Sequence, residues 1–118
     1  MTDPDYNSDA SAAQTRLIQL LEEDEWRFTK NALEQGRHAL RGVIRDPPSE
    51  CAIIDYLLDR LRDGFPLLRT PLGEPPGSGG VGWVMNNLDG RNTYIKLKIE
   101  EDGIRTYALV MSCHSSKH

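Results

Sequence analysis

The residues of this 118-residue chain best suited to chemistry gather toward its C-terminal end. Thr93-Tyr94-Ile95-Lys96-Leu97-Lys98-Ile99 alternates polar and apolar side chains, so a strand there puts Tyr94, Lys96 and Lys98 on one face and Ile95, Leu97 and Ile99 on the other. Ile104 to Cys113, rich in β formers, follows the turn signal Glu101-Asp102-Gly103 and leads into His114. A phenol, two ammonium groups and an imidazole on one surface would supply a positive field and proton carriers near neutral pH, since an unperturbed histidine titrates at about 6.5. Lysines on an alternating strand are also the ordinary solvated face of a sheet. Composition alone leaves both readings open.

Which side chains share that face depends on how the last hairpin closes. A two-residue loop at Asp102-Gly103 would set Tyr94, Lys96 and Lys98 beside Tyr107, Leu109 and Met111, mixing charge with the larger apolar groups. A three-residue loop, with Gly103 left-handed in a bulge, instead sets Ile95, Leu97 and Ile99 beside those three residues. The expectation is the second register, which leaves Thr106, Ala108, Val110, Ser112 and His114 with the tyrosine and lysines.

The elements that must carry this hairpin are legible from periodicity and punctuation. Ser11 with Gln14 is a capping-box pattern before the stripe Leu17, Ile18, Leu20 and Leu21, predicting a helix at about 12–24. Thr29 is the expected cap of a shorter helix through Ala32, Leu33, Ala39 and Leu40, weakened at Gly36. Asp46-Pro47-Pro48 is a stop. Ser49 then caps a helix bearing Ile53, Ile54, Leu57, Leu58 and Leu61, ended by Gly64. Residues 70–80, dense in proline and glycine, predict a loop, residues 81–85 a strand and residues 86–90 a turn. Trp83, on a strand beside helices, is expected in the core rather than stacked on a ligand.

Helices followed by strands give an α+β class, two or three N-terminal helices packed on a small C-terminal antiparallel sheet. The expected organisation is a polar tail over 1–10 and a single domain over 11–118. The net charge of −4 is uneven, because Asp3, Asp5, Asp9, Glu22, Glu23, Asp24 and Glu25 face only Arg16 in the first 25 residues. With 18 acids and 14 bases in all, the remainder holds 11 and 13, a net +2 compatible with an anionic ligand. No apolar run approaches the roughly 20 residues that span a bilayer, and the N-terminus is acidic, so a cytoplasmic protein with no membrane partner is expected. Cys51 and Cys113 are expected as reduced thiols. His38, His114 and His118 lack ligand spacing, so neither a metal nor another cofactor is implied.

The strings Thr93-Tyr94-Ile95-Lys96-Leu97-Lys98-Ile99 and Ala108-Leu109-Val110-Met111-Ser112-Cys113-His114, with Arg27-Phe28-Thr29-Lys30-Asn31-Ala32-Leu33 upstream, resemble the MqsR-type toxins, small RelE-like ribonucleases paired with a protein antitoxin. The likeness covers about half the chain. It implies a RelE- or barnase-like architecture and carries the family's strand tyrosine and lysine onto Tyr94 and Lys96. The family's terminal-strand lysine falls on His114, and its glutamine after a tryptophan falls on Val84, so the pattern departs at both positions. A further lysine is matched loosely by Arg69.

On that resemblance the expected activity is metal-independent cleavage of RNA by its own 2′-hydroxyl. That reaction needs a base, an acid and cations. Tyr94, His114 and Lys96 are the expected catalytic residues, and Lys98, Arg69 and Arg91 the expected RNA-binding ones. RNA and an antitoxin would be the partners. The alternative is a protein-binding module, antitoxin-like, immunity-like or adaptor-like, without chemistry.

Overall fold

The computed structural model describes residues 9–41, 43–44, 48–75, 78–88 and 93–115, with His114 and Ser115 described by backbone alone. The chain runs α1 (Ala10–Glu22), β1 (Trp26–Phe28), α2 (Lys30–Ala39), α3 (Glu50–Arg62), β2 (Leu68–Pro71), β3 (Val81–Leu88), β4 (Thr93–Glu101) and β5 (Thr106–Ser115). The class is α+β, as the pattern of elements indicates.

The sheet differs from the expected antiparallel one. It has five strands in the order β1-β5-β4-β3-β2, and β1 runs parallel to β5 while the other neighbours are antiparallel. The helices do not all precede the strands, because β1 lies between α1 and α2. Three residues of mixed polarity, Trp26-Arg27-Phe28, carry too little periodic signal to be read as a strand. Pairing with β5 makes them one.

Local chemistry explains where the helices begin. Asp9, not Ser11, caps α1, its carboxylate accepting from the backbone N–H groups of Ser11 and Ala12. Gln14 is thereby free to donate from Nε2 to the Leu61 carbonyl at 2.5 Å, tying α1 to the end of α3. Thr29 and Ser49 cap α2 and α3 as expected, and Gly64 takes φ +85° just past α3. Residues 70–71 belong to β2. The neck of the loop that follows is closed by Leu72 N–H donating to Gly80 and Gly79 N–H donating to Leu72, each at 2.9 Å.

One buried cluster joins Leu17 and Leu20 of α1, Ile53, Leu57 and Leu61 of α3, Trp83 and Met85 of β3, and Ile95, Leu97 and Ile99 of β4. The helices therefore cover one face of the sheet. From β5 that face receives Ala108, Val110 and Cys113, not the expected Tyr107, Leu109 and Met111. The loop is also longer than expected: Glu101 pairs with Thr106, so Asp102-Gly103-Ile104-Arg105 closes the hairpin, with Arg105 N–H donating to the Asp102 carboxylate at 3.0 Å.

The reason is the close approach of α2. A β-carbon added to Gly36 would lie 3.2 Å from both Cys113 Sγ and Ile53 Cδ1. Only small side chains fit on β5 beneath that helix, so the larger ones turn outward.

Replacing a mid-helix glycine by alanine ordinarily stabilises by about 1 kcal/mol. Here Gly36→Ala is expected to destabilise by about 1 kcal/mol or more through overpacking, measured by urea denaturation. Ile53→Val, which removes Cδ1, should cost less in that background than in the wild type. A more stable Gly36→Ala protein would show that the contact has slack.

Candidate functional site

The face of the sheet turned away from the helices carries the chemistry. Along β4 it presents Tyr94, Lys96, Lys98 and Glu100, each half-buried, while the residues between them are buried against the helices. Their partners on β5 are His114, Ser112, Leu109 and Tyr107 respectively.

A bulge makes that pairing possible. Leu97 pairs with Val110 but Lys96 pairs with Ser112, so Met111 is one extra residue on β5. Without it, Cys113 rather than His114 would stand opposite Tyr94, and every later residue would change face. The bulge is anchored: the Thr29 hydroxyl donates to the Met111 carbonyl at 3.2 Å, while the same oxygen accepts from the Ala32 N–H at 3.1 Å as the cap of α2. Thr29 N–H donates to the Val110 carbonyl at 3.0 Å. One side chain thus joins the start of α2 to the irregularity that sets the register of Ser112 and His114.

The cations differ in availability. Lys98 Nζ is 2.8 Å from the Glu100 carboxylate, which neutralises much of its field. Lys96 makes no ion pair with a described residue. Its stem lies over Gly82, where an added β-carbon would come within 3.3 Å of Lys96 Cδ. At the far corner of the face, exposed Arg27 of β1 stacks its guanidinium over the Tyr107 ring, 4.6 Å from the centroid.

Tyr94, Lys96 and Lys98 are therefore brought together, with His114 at the facing register position and its side chain outside the described residues. Arg69 is not among them. It pairs with Trp83, whose side chain is in the core, so Arg69 belongs to the opposite side of the sheet at its β2 edge. Arg91 lies outside the described residues. Trp83, 1% exposed, is a core residue.

Several residues of this face escape a sequence reading. Asn86 and Asn87 read as a turn but lie in β3, exposed, where the ladder skips between the pairs Met85–Ile95 and Leu88–Thr93 that bracket Tyr94. Asn87 takes φ +56°, a conformation asparagine tolerates better than most residues, and that tolerance is the one available signal of a bulge. Arg27 and Tyr107 meet only because β1 joins the sheet.

Burial pushes the Cys113 thiol up from 9.0 to about 12, so it stays protonated in the core, while Cys51 is exposed. The stability that the neutral Cys113 provides is fully present below pH 9 and is lost as pH rises toward 12. Among the described residues, no three His, Cys, Asp or Glu side chains converge as a metal site requires, and no helix is long and apolar enough to cross a membrane. A separate cleft of about 390 Å³ beside the start of α3 is lined by Ile44, Cys51, Asp55, Tyr56 and Asp59. Its charged groups are carboxylates, which suit no anion.

Comparison of the chain with protein-family models, with curated proteins and with solved structures finds no match in any of the three. The reading of function therefore stands on the residues and their geometry.

Thr29→Val keeps the shape of the side chain but removes both hydroxyl bonds, and should cost about 1–2 kcal/mol in urea denaturation. Thr29→Ser should cost less than half of that; a Thr29→Val protein as stable as the wild type would show that the hydroxyl bonds contribute nothing. Thiol labelling of the native protein at pH 8 should modify Cys51 and spare Cys113 until denaturant is added, and rapid native labelling of both would contradict the burial of Cys113.

Proposed function

We propose that the chain is a metal-independent endoribonuclease, the toxin of a toxin–antitoxin pair, acting on RNA in the cytoplasm and held in check by a protein antitoxin. The observation that carries this reading is the pairing of Tyr94 with His114 beside Lys96 and Ser112 on the sheet face turned away from the helices. It assembles, on neighbouring strands about 5 Å apart, two proton-exchanging residue types and a cation that no described carboxylate neutralises.

The reaction requires little else. A base removes the proton of the ribose 2′-hydroxyl, the oxygen bonds to the adjacent phosphorus, and the bond from phosphorus to the 5′-oxygen breaks as an acid protonates that oxygen. The products are a 2′,3′-cyclic phosphate and a 5′-hydroxyl. His114 serves as base or acid, Tyr94 orients the phosphate or donates a proton, and Lys96 stabilises the charge that develops on the phosphoryl oxygens. Lys98 contributes less, being bound to Glu100. That same ion pair, with Arg69 on the opposite side of the sheet, favours the alternative of a binding module without chemistry.

In EDTA, the wild type should cut a labelled mixed-sequence RNA and leave cyclic-phosphate ends. Tyr94→Phe and His114→Ala should each slow cleavage by about 10²–10⁴-fold, and Lys96→Ala by about 10²-fold. Folded wild-type protein that cuts neither free nor ribosome-bound RNA at any pH from 5 to 9 would sink the enzyme reading in favour of the binding module.

A further inference from the structure

The open face continues well beyond Tyr94. Tyr107 pairs with Glu100, six positions along β4 from Tyr94, which at about 3.4 Å per residue is roughly 20 Å. Between these ends lie Lys96 and Lys98. Arg27 pairs with Leu109, and Leu109 with Lys98, so Arg27, Leu109 and Lys98 form a row across the sheet. The row crosses two strand spacings, roughly 10 Å.

The Arg27–Tyr107 stack has features of a site rather than of a brace. Arg27 is exposed and makes no ion pair with a described residue. The nearby Glu25 carboxylate is taken by Arg105 at 2.7 Å. The guanidinium carbon lies 4.6 Å from the centroid of the Tyr107 ring. No described residue bonds to its N–H groups, which leaves a planar cation with donors along its rim for a ligand. Such a surface stacks nucleobases and binds phosphate oxygens. Arg27, Lys96 and Lys98 outweigh Glu100, the carboxylate among these residues, so the face as a whole suits a polyanion. A duplex would keep its bases stacked inside and offer none to the platform.

We propose that Arg27 and Tyr107 form a base-stacking subsite for single-stranded RNA, several nucleotides from the cleaved bond, with the strand passing over Lys98 and Lys96 toward Tyr94. The subsite rests on the ribonuclease reading for its substrate and adds to it a requirement for length and single-strandedness. Arg27 and Tyr107 are binding residues that touch no reacting atom.

The test uses the full chain and a fluorescein-labelled, 2′-O-methyl, mixed-sequence 12-mer, which lacks the attacking hydroxyl and cannot be cut. Anisotropy titrations compare the wild type with Tyr107→Ala, Tyr107→Phe, Arg27→Ala and Arg27→Lys, alongside cleavage of the matching RNA. Tyr107→Ala and Arg27→Ala should weaken binding at least fivefold, and each should raise KM for cleavage with kcat within twofold of wild type. Tyr107→Phe should bind within twofold of wild type. Arg27→Lys, which keeps the charge but loses the plane, should bind like Arg27→Ala at 0.15 M salt. If the wild type binds the 12-mer and all four variants match it, the subsite is wrong while the ribonuclease reading stands. If the wild type binds a duplex as tightly as the single strand, the stacking assignment is likewise wrong. If it neither binds the 12-mer nor cuts RNA, the ribonuclease reading fails and the subsite with it.

Discussion

The close seat of α2 on β5 governs both faces of the sheet. A β-carbon at Gly36 would meet Cys113 Sγ and Ile53 Cδ1 at 3.2 Å, and Ala32 and Ala39 are buried on the same helix. A helix this close admits only small side chains from the strand beneath it, here Ala108, Val110 and Cys113. Close-packed interiors leave no other arrangement at comparable density. The strand must then display Tyr107, Leu109 and Met111 on its far side, so a packing constraint in the core determines what the open face offers.

Thr29 carries that constraint into the candidate site. Its backbone leads from β1 directly into α2, which makes β1 the parallel neighbour of β5, and its hydroxyl serves the helix cap and the Met111 carbonyl together. The bulge at Met111 in turn reverses the alternation, bringing Ser112 and His114 into register with Lys96 and Tyr94. Two facing residues on adjacent strands are thus held through a helix terminus some residues away, and their relative position is as rigid as that terminus.

The sequence makes some of this plain and hides the rest, for physical reasons. Local signals survive: Thr29 and Ser49 cap their helices, α3 shows its apolar stripe, and β4 alternates without interruption from Thr93 to Glu100. Asp9 displaces Ser11 as the cap because either side chain can accept from the first turn, and an offset of two positions is decided by the backbone. The hairpin register was misread for a deeper reason. Putting the larger apolar side chains of β5 inward assumes a core with room for them, and the room is set by Gly36, more than 70 residues upstream. Likewise β1 exists only through pairing, so the Arg27–Tyr107 contact across 80 positions had no local trace. Grouping Tyr94, Lys96 and Lys98 required only a period of two. Separating Arg69 from them required knowing which strand it joined.

A sheet face turned away from the helices also constrains the chemistry proposed for it. Electrostatic stabilisation is strongest where water is excluded, and a unit charge acting across 4 Å loses most of its effect as the surroundings approach bulk water. Lys96 is half-buried, its stem lying beside Gly82 and Leu72. On the proposed function, the substrate itself would complete the cover of the Lys96 ammonium group. An RNA strand lying along β4 and β5 would exclude solvent from Lys96 and Tyr94 with the nucleotides directly over them, while contacts distant from the cleaved bond would hold the strand in place. Under that condition short oligonucleotides are poor substrates even when they contain the right bond, and a partner that lays RNA or a protein surface against the sheet controls activity without moving a catalytic atom. On the proposed function, an antitoxin laid against these strands would compete with the substrate for the role of lid.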